Sequence, residues 1–383
     1  MGGAMAFYRH FVERGDFELF VATTERRLPS YNPPYDYLLF DQPKWLERLL
    51  RTRWGRWMHS FKHLFAGNYI PEDVLRAAEK FQPDCIFTIA GSWDWTALMA
   101  LRLARKLNVP LVASFNDWFD YSVIMHPLLK GVIERRFRKL YRSADLALCT
   151  SEGMREALGN HRNAHILYPI GSTSLDIATS DQNKVAEEKP IIIAFAGSMA
   201  DWYGPMLEQL VTEARSKSNK FEFRFFGANP TWSPEFDSLA RKVEIFRGLL
   251  PFDELREEMN QVDLLILPMG FGEKCAQVEK TSFKTKFLDY LSYKKPILVW
   301  GPDYCSAVRV AREFDSAEIC TDTDASTVID KISFLDGSRS RQKQLVDNAT
   351  RMYEERFHPN IIHSELVKKI REIIQLSAFR KQK

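Results

Sequence analysis

Lys286, Asp289 and Tyr293 stand three and four residues apart in the segment from Thr281 to Val299. Read as helix, the segment puts these three on one side and Phe287, Leu288 and Leu291 on the other. An ammonium followed one turn later by a carboxylate suits a phosphate group and a pair of neighbouring hydroxyls. Thr281 or Ser282 would cap the start, leaving backbone N–H groups free beside the lysine. A diphosphate would sit at that tip and a ribose diol one turn further in. The plain alternative is an amphipathic helix with a surface Lys–Asp pair.

Such a helix needs a rigid sheet behind it, and the rest of the chain supplies the pattern for one. A length of 383 residues exceeds one ordinary core and fits two domains. Hydrophobic content of 45% with 27% charged residues is that of a soluble globular protein. A net charge of +3 gives no global nucleic-acid signal. Cys85, Cys149, Cys275, Cys305 and Cys320 are scattered without a C-x-x-C pair, and several lie in or at the ends of apolar strands, as reduced core thiols do. No apolar run approaches the roughly 18–20 residues that span a bilayer, and no secretory h-region opens the chain. The expected compartment is the cytoplasm.

From Phe17 onward, strand-like and helix-like runs alternate. Phe17 to Ala22, Cys85 to Ile89, Leu111 to Ser114 and Leu146 to Cys149 read as strands, with helical spacing in Trp93 to Lys106 and Pro127 to Arg142. A polar stretch, Thr173 to Lys189, reads as a linker. A second series follows: Ile191 to Ala196, Phe221 to Phe226, Val243 to Phe246, Leu264 to Leu267, Pro296 to Trp300 and Ala317 to Cys320. Ligands of open parallel sheets bind beyond the carboxyl ends of the strands. That rule selects Gly197-Ser198, Gly227-Ala228-Asn229, Gly248-Leu249, Pro268-Met269-Gly270 and Gly301-Pro302, where glycine lets backbone approach a ligand. For any one of them a simple tight turn is the competing reading.

Ser282 to Ile297 resembles the donor-binding helix of glycosyltransferase family 4, whose signature in one branch reads S-x-P-x-K-x-x-E-Y-L-A-x-G-K-P-V. Lys286 stands at the diphosphate-binding lysine and Asp289 at the ribose-binding glutamate, one methylene shorter. Phe283 replaces the proline, and Tyr293-Lys294 replace a small residue and glycine. Arg247-Gly248-Leu249-Leu250-Pro251 with Glu254-Leu255 resembles the family stretch whose backbone meets the nucleotide base, and Asp263 to Pro268 resembles the strand after it. Many members carry an arginine and a lysine on the donor phosphates where this chain has Ser198 and, approximately, Tyr203. Lys286 and the helix dipole would then carry the diphosphate, helped by Lys280 or Lys284.

The resemblance implies an α/β GT-B fold, two Rossmann-like domains with parallel sheets facing across a cleft. Its expected divisions are an acceptor domain over 1–172, a linker over 173–189, a donor domain over 190–360 and a helix over 361–383 that crosses back to the first domain. Met1 to His10, with Gly2 and Gly3, resembles the glycine-rich acceptor or phosphate loop and first helix that follow the first strand in such enzymes, so that strand is expected to be missing. Asn116 and Asp117 stand where the family has His-Asp, facing the transferred sugar; an asparagine cannot carry the histidine's proton. The implied activity is metal-independent, retaining transfer of a sugar from a nucleotide-diphospho donor to a saccharide, lipid-linked or small-molecule acceptor, without a cofactor. The donor contacts would be Lys286, Asp289, Ser282, Gly197, Ser198, Gly227, Arg247, Gly248 and Leu249. A non-catalytic relative that binds a nucleotide-sugar or a partner is the alternative. A sugar-nucleotide epimerase is a third reading, without an identifiable acid–base pair.

Other features have plainer readings beside the functional ones. Ser151-Glu152 reads as a helix cap. Trp93-Asp94-Trp95 suits sugar stacking but equally a core. Trp45 to Lys62 interleaves Trp45, Trp54 and Trp57 with Arg48, Arg51, Arg53, Arg56 and Lys62: a solvated basic helix, or a contact with an anionic membrane surface. Asp322-Thr323-Asp324 looks like a metal-binding D-x-D but sits in a polar turn, and no His/Cys cluster has zinc spacing.

Overall fold

Every residue of Leu264–Pro268 and Ile297–Trp300 is buried, as is every residue of Leu111–Phe115 and Leu146–Cys149. Continuous apolar runs of this kind belong to parallel strands covered on both faces. The computed structural model describes residues 2–40, 48–90, 95–120, 125–171, 189–217 and 220–382. Its chain divides into two compact units. One comprises Met1–Pro169, Thr281–Phe283 and Asn360–Lys383; the other comprises Ile170–Lys280 and Lys284–Pro359.

The first unit holds β1 (Phe20–Thr23) paired in parallel with β2 (Asp36–Leu39). A four-stranded parallel sheet follows, in the order β3 (Ile86–Ile89), β4 (Leu111–Phe115), β5 (Leu146–Cys149), β6 (Ala164–Ile166). Phe115, Phe137 and Tyr141 are fully buried between sheet and helix Pro127–Ser143. Helix Pro359–Gln382 belongs to this unit and is tied to its start. His363 Nε2 lies 2.6 Å from Asp16 Oδ2, and its Nδ1 is 3.3 Å from that of His10. Burial, then the charges of His363 and Arg14, hold His10 down to a pKa of about 3, so it packs as a neutral ring.

The second unit is one six-stranded parallel sheet. Its strands are β7 (Ile191–Ala196), β8 (Phe221–Phe226), β9 (Phe246–Gly248), β10 (Leu264–Pro268), β11 (Ile297–Trp300) and β12 (Glu318–Cys320). Their spatial order is β12-β11-β10-β7-β8-β9. Counted from the first strand of the unit, this is the doubly wound order 3-2-1-4-5-6, whose connections reverse direction between β7 and β10. Ligand crevices of such sheets open at the carboxyl ends of the strands at that reversal. Here those ends carry Gly197-Ser198 and Met269-Gly270.

Candidate functional site

Past Ala196 the chain turns through Gly197 (φ +150) toward Ser198, and past Phe226 through Gly227 (φ +143). The two turns are hydrogen-bonded in series: Gly197 N donates to Phe226 O at 2.8 Å, and Gly227 N donates to Gly248 O at 2.7 Å. A Cβ on Gly227 would come within 1.9 Å of Gly197 O, and one on Gly197 within 1.9 Å of Lys286 Cε. Both glycines are therefore required by the protein's own backbone and by the lysine stem, where the sequence suggested room for a ligand. No L side chain fits either position.

Lys286 crosses Gly197 to reach the reversal point of the sheet. Its ammonium lies 3.5 Å from Ser198 O, 4.7 Å from the Phe195 ring centroid and 4.6 Å from that of Tyr203. Desolvation, then the positive charge of Lys284, pulls its pKa down to about 7, with Glu279 and Asp289 acting the other way. Lys284 behaves oppositely. Burial works against its charge, but Tyr203 and Glu279 outweigh it and raise its pKa above the usual lysine value. Its ammonium is 3.2 Å from Glu279 Oε2. Glu279 is fully buried, and its Oε1 accepts from Gly270 N at 3.1 Å. One of the two lysines is thus neutralised within the protein, while Lys286 faces aromatic rings and a carbonyl. A cation so placed at the end of β7 is suited to an anionic ligand.

The helix that carries Lys286 differs from the sequence reading at its start. It spans Thr285–Leu291, with Lys284 at the N-cap and no side-chain cap bond. Thr281 instead ends a preceding helix, Glu273–Thr281. Neither Thr281 nor Ser282 caps the later helix. Seven residues give a weak macrodipole, so positive charge here rests on the lysine more than on the helix tip. The division of faces holds: Phe287, Leu288, Tyr290 and Leu291 are buried, whereas Lys286, Asp289 and Tyr293 are partly exposed. Tyr290 fastens this helix to the sheet, its hydroxyl accepting from Ala196 N at 2.9 Å. Tyr293 has its pKa pushed up to about 12 by burial and by Asp289.

Arg247 and Gly248 lie in β9 rather than after it, because that strand runs over Phe246–Gly248 instead of ending at Phe246. Gly248 O is committed to Gly227 N, Arg247 Nη1 pairs with Glu244 at 3.4 Å, and Leu249 is 76% exposed. In the first unit, Ser114 Oγ donates to Asn116 Oδ1 at 3.1 Å beyond β4. Asp117 Oδ1 accepts from Ser282 Oγ at 2.7 Å, so Ser282 falls with Asp117 in that unit and not with Lys286. Ser151 caps its helix, accepting from Met154 N at 3.0 Å, and donates to Thr281 O at 2.6 Å. Gly2 and Gly3 occupy the first turn of helix Gly2–Phe11, not a loop ahead of it. Asp324 caps helix Ala325–Gly337, which makes the D-x-D a turn. Among the described residues no group of His, Cys, Asp and Glu could hold a metal ion. Trp45 and Trp93-Asp94 lie outside the described residues.

Sequence reasoning missed Glu279, Phe195 and Tyr290. The charged string Glu273-Lys274 to Glu279-Lys280 gives no sign that one carboxylate is buried.

Two Rossmann-like units with parallel sheets are the architecture of the GT-B fold. Residues 4–168 match the model of Glycosyltransferase Family 4, the family that the Lys286 motif resembles in the other half of the chain. No curated protein matches the sequence. HepE of Anabaena, solved with UDP, superposes with a TM-score of 0.64 at 13% identity over 96% of this chain and 95% of its own. A glycosyltransferase of Rickettsia africae gives 0.63 at 13% identity, over 97% and 94%. The α,α-trehalose 6-phosphate synthase of Burkholderia multivorans gives 0.59 at 10% identity, over 90% and 85%. These likenesses establish the fold: two Rossmann-like units of the GT-B class.

Proposed function

We propose that this protein transfers a sugar from a nucleotide-diphospho donor to a saccharide, lipid-linked or small-molecule acceptor, in the cytoplasm, with retention and without a metal or cofactor. The observation that carries the reading is the Lys286 ammonium, threaded past Gly197 to the carboxyl end of β7. In this role Lys286 binds the diphosphate and Asp289 accepts from the ribose hydroxyls or those of the donor sugar. Arg247, Gly248 and Leu249 border the base; Gly197, Ser198 and Gly227 form the floor. Asn116 and Asp117 orient the transferred sugar through hydrogen bonds. The departing diphosphate would be stabilised by Lys286, and the oxocarbenium-like centre by the donor's own phosphate oxygens. HepE has been solved with UDP-glucose, which favours a UDP-hexose as the first donor to test.

A nucleotide-sugar-binding protein without transfer is the second reading. It is favoured by the serine hydroxyls that already occupy one oxygen each of Asn116 and Asp117. A thermal-shift panel of UDP-, GDP- and ADP-sugars, followed by donor hydrolysis and transfer assays on whichever binds, separates the two. A donor that stabilises the protein and is turned over supports transfer. A donor that stabilises it but is never cleaved, with water or any acceptor, supports the second reading. A panel without any shift overturns both.

A further inference from the structure

Helix Gly55–Phe65 packs one side against the first unit and leaves an aromatic stripe on the other. Ser60, His63 and Leu64 are buried; Ser60 Oγ accepts from His126 N at 2.8 Å. Trp57 stacks on the His126 ring at 3.7 Å and is itself partly exposed. From Trp54 at the N-cap, the spacing 54, 57, 61, 65 keeps four aromatic rings on one face. Trp54 is 56%, Phe61 42% and Phe65 55% exposed. The rings follow one another along the helix, with centroids 6.1 Å apart for Trp57–Phe61 and 5.8 Å for Phe61–Phe65. Isolated exposed aromatics are ordinary, but a row of them on a soluble surface marks a docking face.

The charge around the row identifies what docks. Residues 48–71 contain Arg48, Arg51, Arg53, Arg56 and Lys62 and no aspartate or glutamate. Arg53 and Arg56 are exposed, and the Arg53 guanidinium lies 5.5 Å from the Trp54 ring centroid. Protein–protein interfaces also gather aromatic residues and arginine inside a polar rim, which makes a second copy of this face the competing occupant. A row of tryptophan and phenylalanine in a segment that carries arginine and lysine and no carboxylate is complementary to a surface that is apolar inside and anionic outside. No described helix is long and apolar enough to cross a membrane, so the contact is with its face. We infer that the Trp54–Phe65 face docks on an anionic bilayer surface, with the rings entering the headgroup layer and the arginines pairing with lipid phosphates. This is independent of which nucleotide the second unit takes.

The test is co-sedimentation with vesicles of phosphatidylcholine alone and with about 30 mol % phosphatidylglycerol, at low and at moderate salt. The expected result is binding to the anionic vesicles only, weakened by salt, with a blue shift of tryptophan emission. Phe61→Ser/Phe65→Ser and Arg53→Glu/Arg56→Glu should each weaken it about tenfold or more. Both pairs alter exposed side chains, so melting temperature and any nucleotide-sugar thermal shift should stay as in wild type. Absence of binding to anionic vesicles at low salt overturns the inference, as does equal binding to neutral vesicles. Unweakened binding by both variants overturns it too. So does a dimer in sedimentation velocity that the phenylalanine variant dissolves, because the face is then an interface between copies. Binding to duplex DNA in preference to vesicles would make it a nucleic-acid surface.

Discussion

The two units solve the same scaffolding problem in the same way and then differ at the strand ends. In the first, Asp145 stands just ahead of β5 and its carboxylate accepts from Leu111 N at the start of β4, at 3.0 Å. In the second, Asp263 stands just ahead of β10 and accepts from Ile192 N in β7, at 2.9 Å. Each aspartate pins a strand to its neighbour at the edge away from the candidate chemistry. At the opposite edge the likeness stops. Beyond β7 lie two lysines, a buried glutamate and a wall of aromatic rings. Beyond β4 lie an asparagine and an aspartate held by serine hydroxyls. A common fold fixes where a site can be, and the residues after each strand decide its chemistry.

The largest effect that would break this contrast concerns Glu279. It is fully buried and answers Lys284, so Glu279→Gln leaves a buried cation without its counter-charge. Loss of one partner of a buried pair costs about 3–5 kcal/mol. Chemical denaturation should show that loss in the transition of the second unit, whereas Asp120→Asn, which removes the half-buried partner of the exposed Lys130, should cost under about 1 kcal/mol. Equal, small losses from both would mean that the two strand ends are not electrostatically different.

Next is the lysine's passage over Gly197. Gly197→Ala places a methyl group on Lys286 Cε at a positive φ, and should destabilise by about 1–3 kcal/mol from the backbone alone, more with the clash. In a Lys286→Ala background the clash disappears. The double-mutant cycle should therefore return a coupling of about 0.5–3 kcal/mol. Strict additivity would place the lysine stem elsewhere.

The sequence made five of the six strands of the second sheet legible to within a residue at each end, and β9 was misplaced, running over Phe246–Gly248 and not Val243 to Phe246. Ile191–Ala196 and Phe221–Phe226 stand as read, because buried parallel strands are continuous apolar runs. β2 escaped notice because its residues are mostly exposed, and β6 because it has only three. Helix Glu273–Thr281 was invisible for a different reason: its inward face includes Glu279 and Thr281, which no hydrophobic period reports. The face shared by Lys286 and Asp289 was legible from spacing alone. The burial that depresses the lysine's pKa was not, since it depends on Phe195 and Tyr203, which lie some eighty residues or more earlier.

A smaller effect sharpens the role of Asp289. A carboxylate can accept from both hydroxyls of a ribose, and an amide cannot reproduce that pattern. Asp289→Asn should lower turnover with the true donor about tenfold, or 1.4 kcal/mol, while Asp289→Glu retains it. Side-by-side transfer assays check this, and an asparagine variant as fast as wild type removes the ribose contact.

The central claim is that the Lys286 ammonium holds the diphosphate, and proton-linked calorimetry reads it directly. In the free protein its pKa is near 7, so at about pH 8 the amine is mostly neutral. A bound diphosphate favours the ammonium, so binding must take up a proton, and affinity should fall by up to about tenfold per pH unit above that value. Titrating the best-binding nucleotide-sugar at about pH 8, in two buffers of different ionisation enthalpy, should show uptake approaching one proton. Lys286→Met should abolish that uptake and cost about 1.5–3 kcal/mol of affinity. Binding with no proton uptake, and equally tight in the methionine variant, would contradict the assignment.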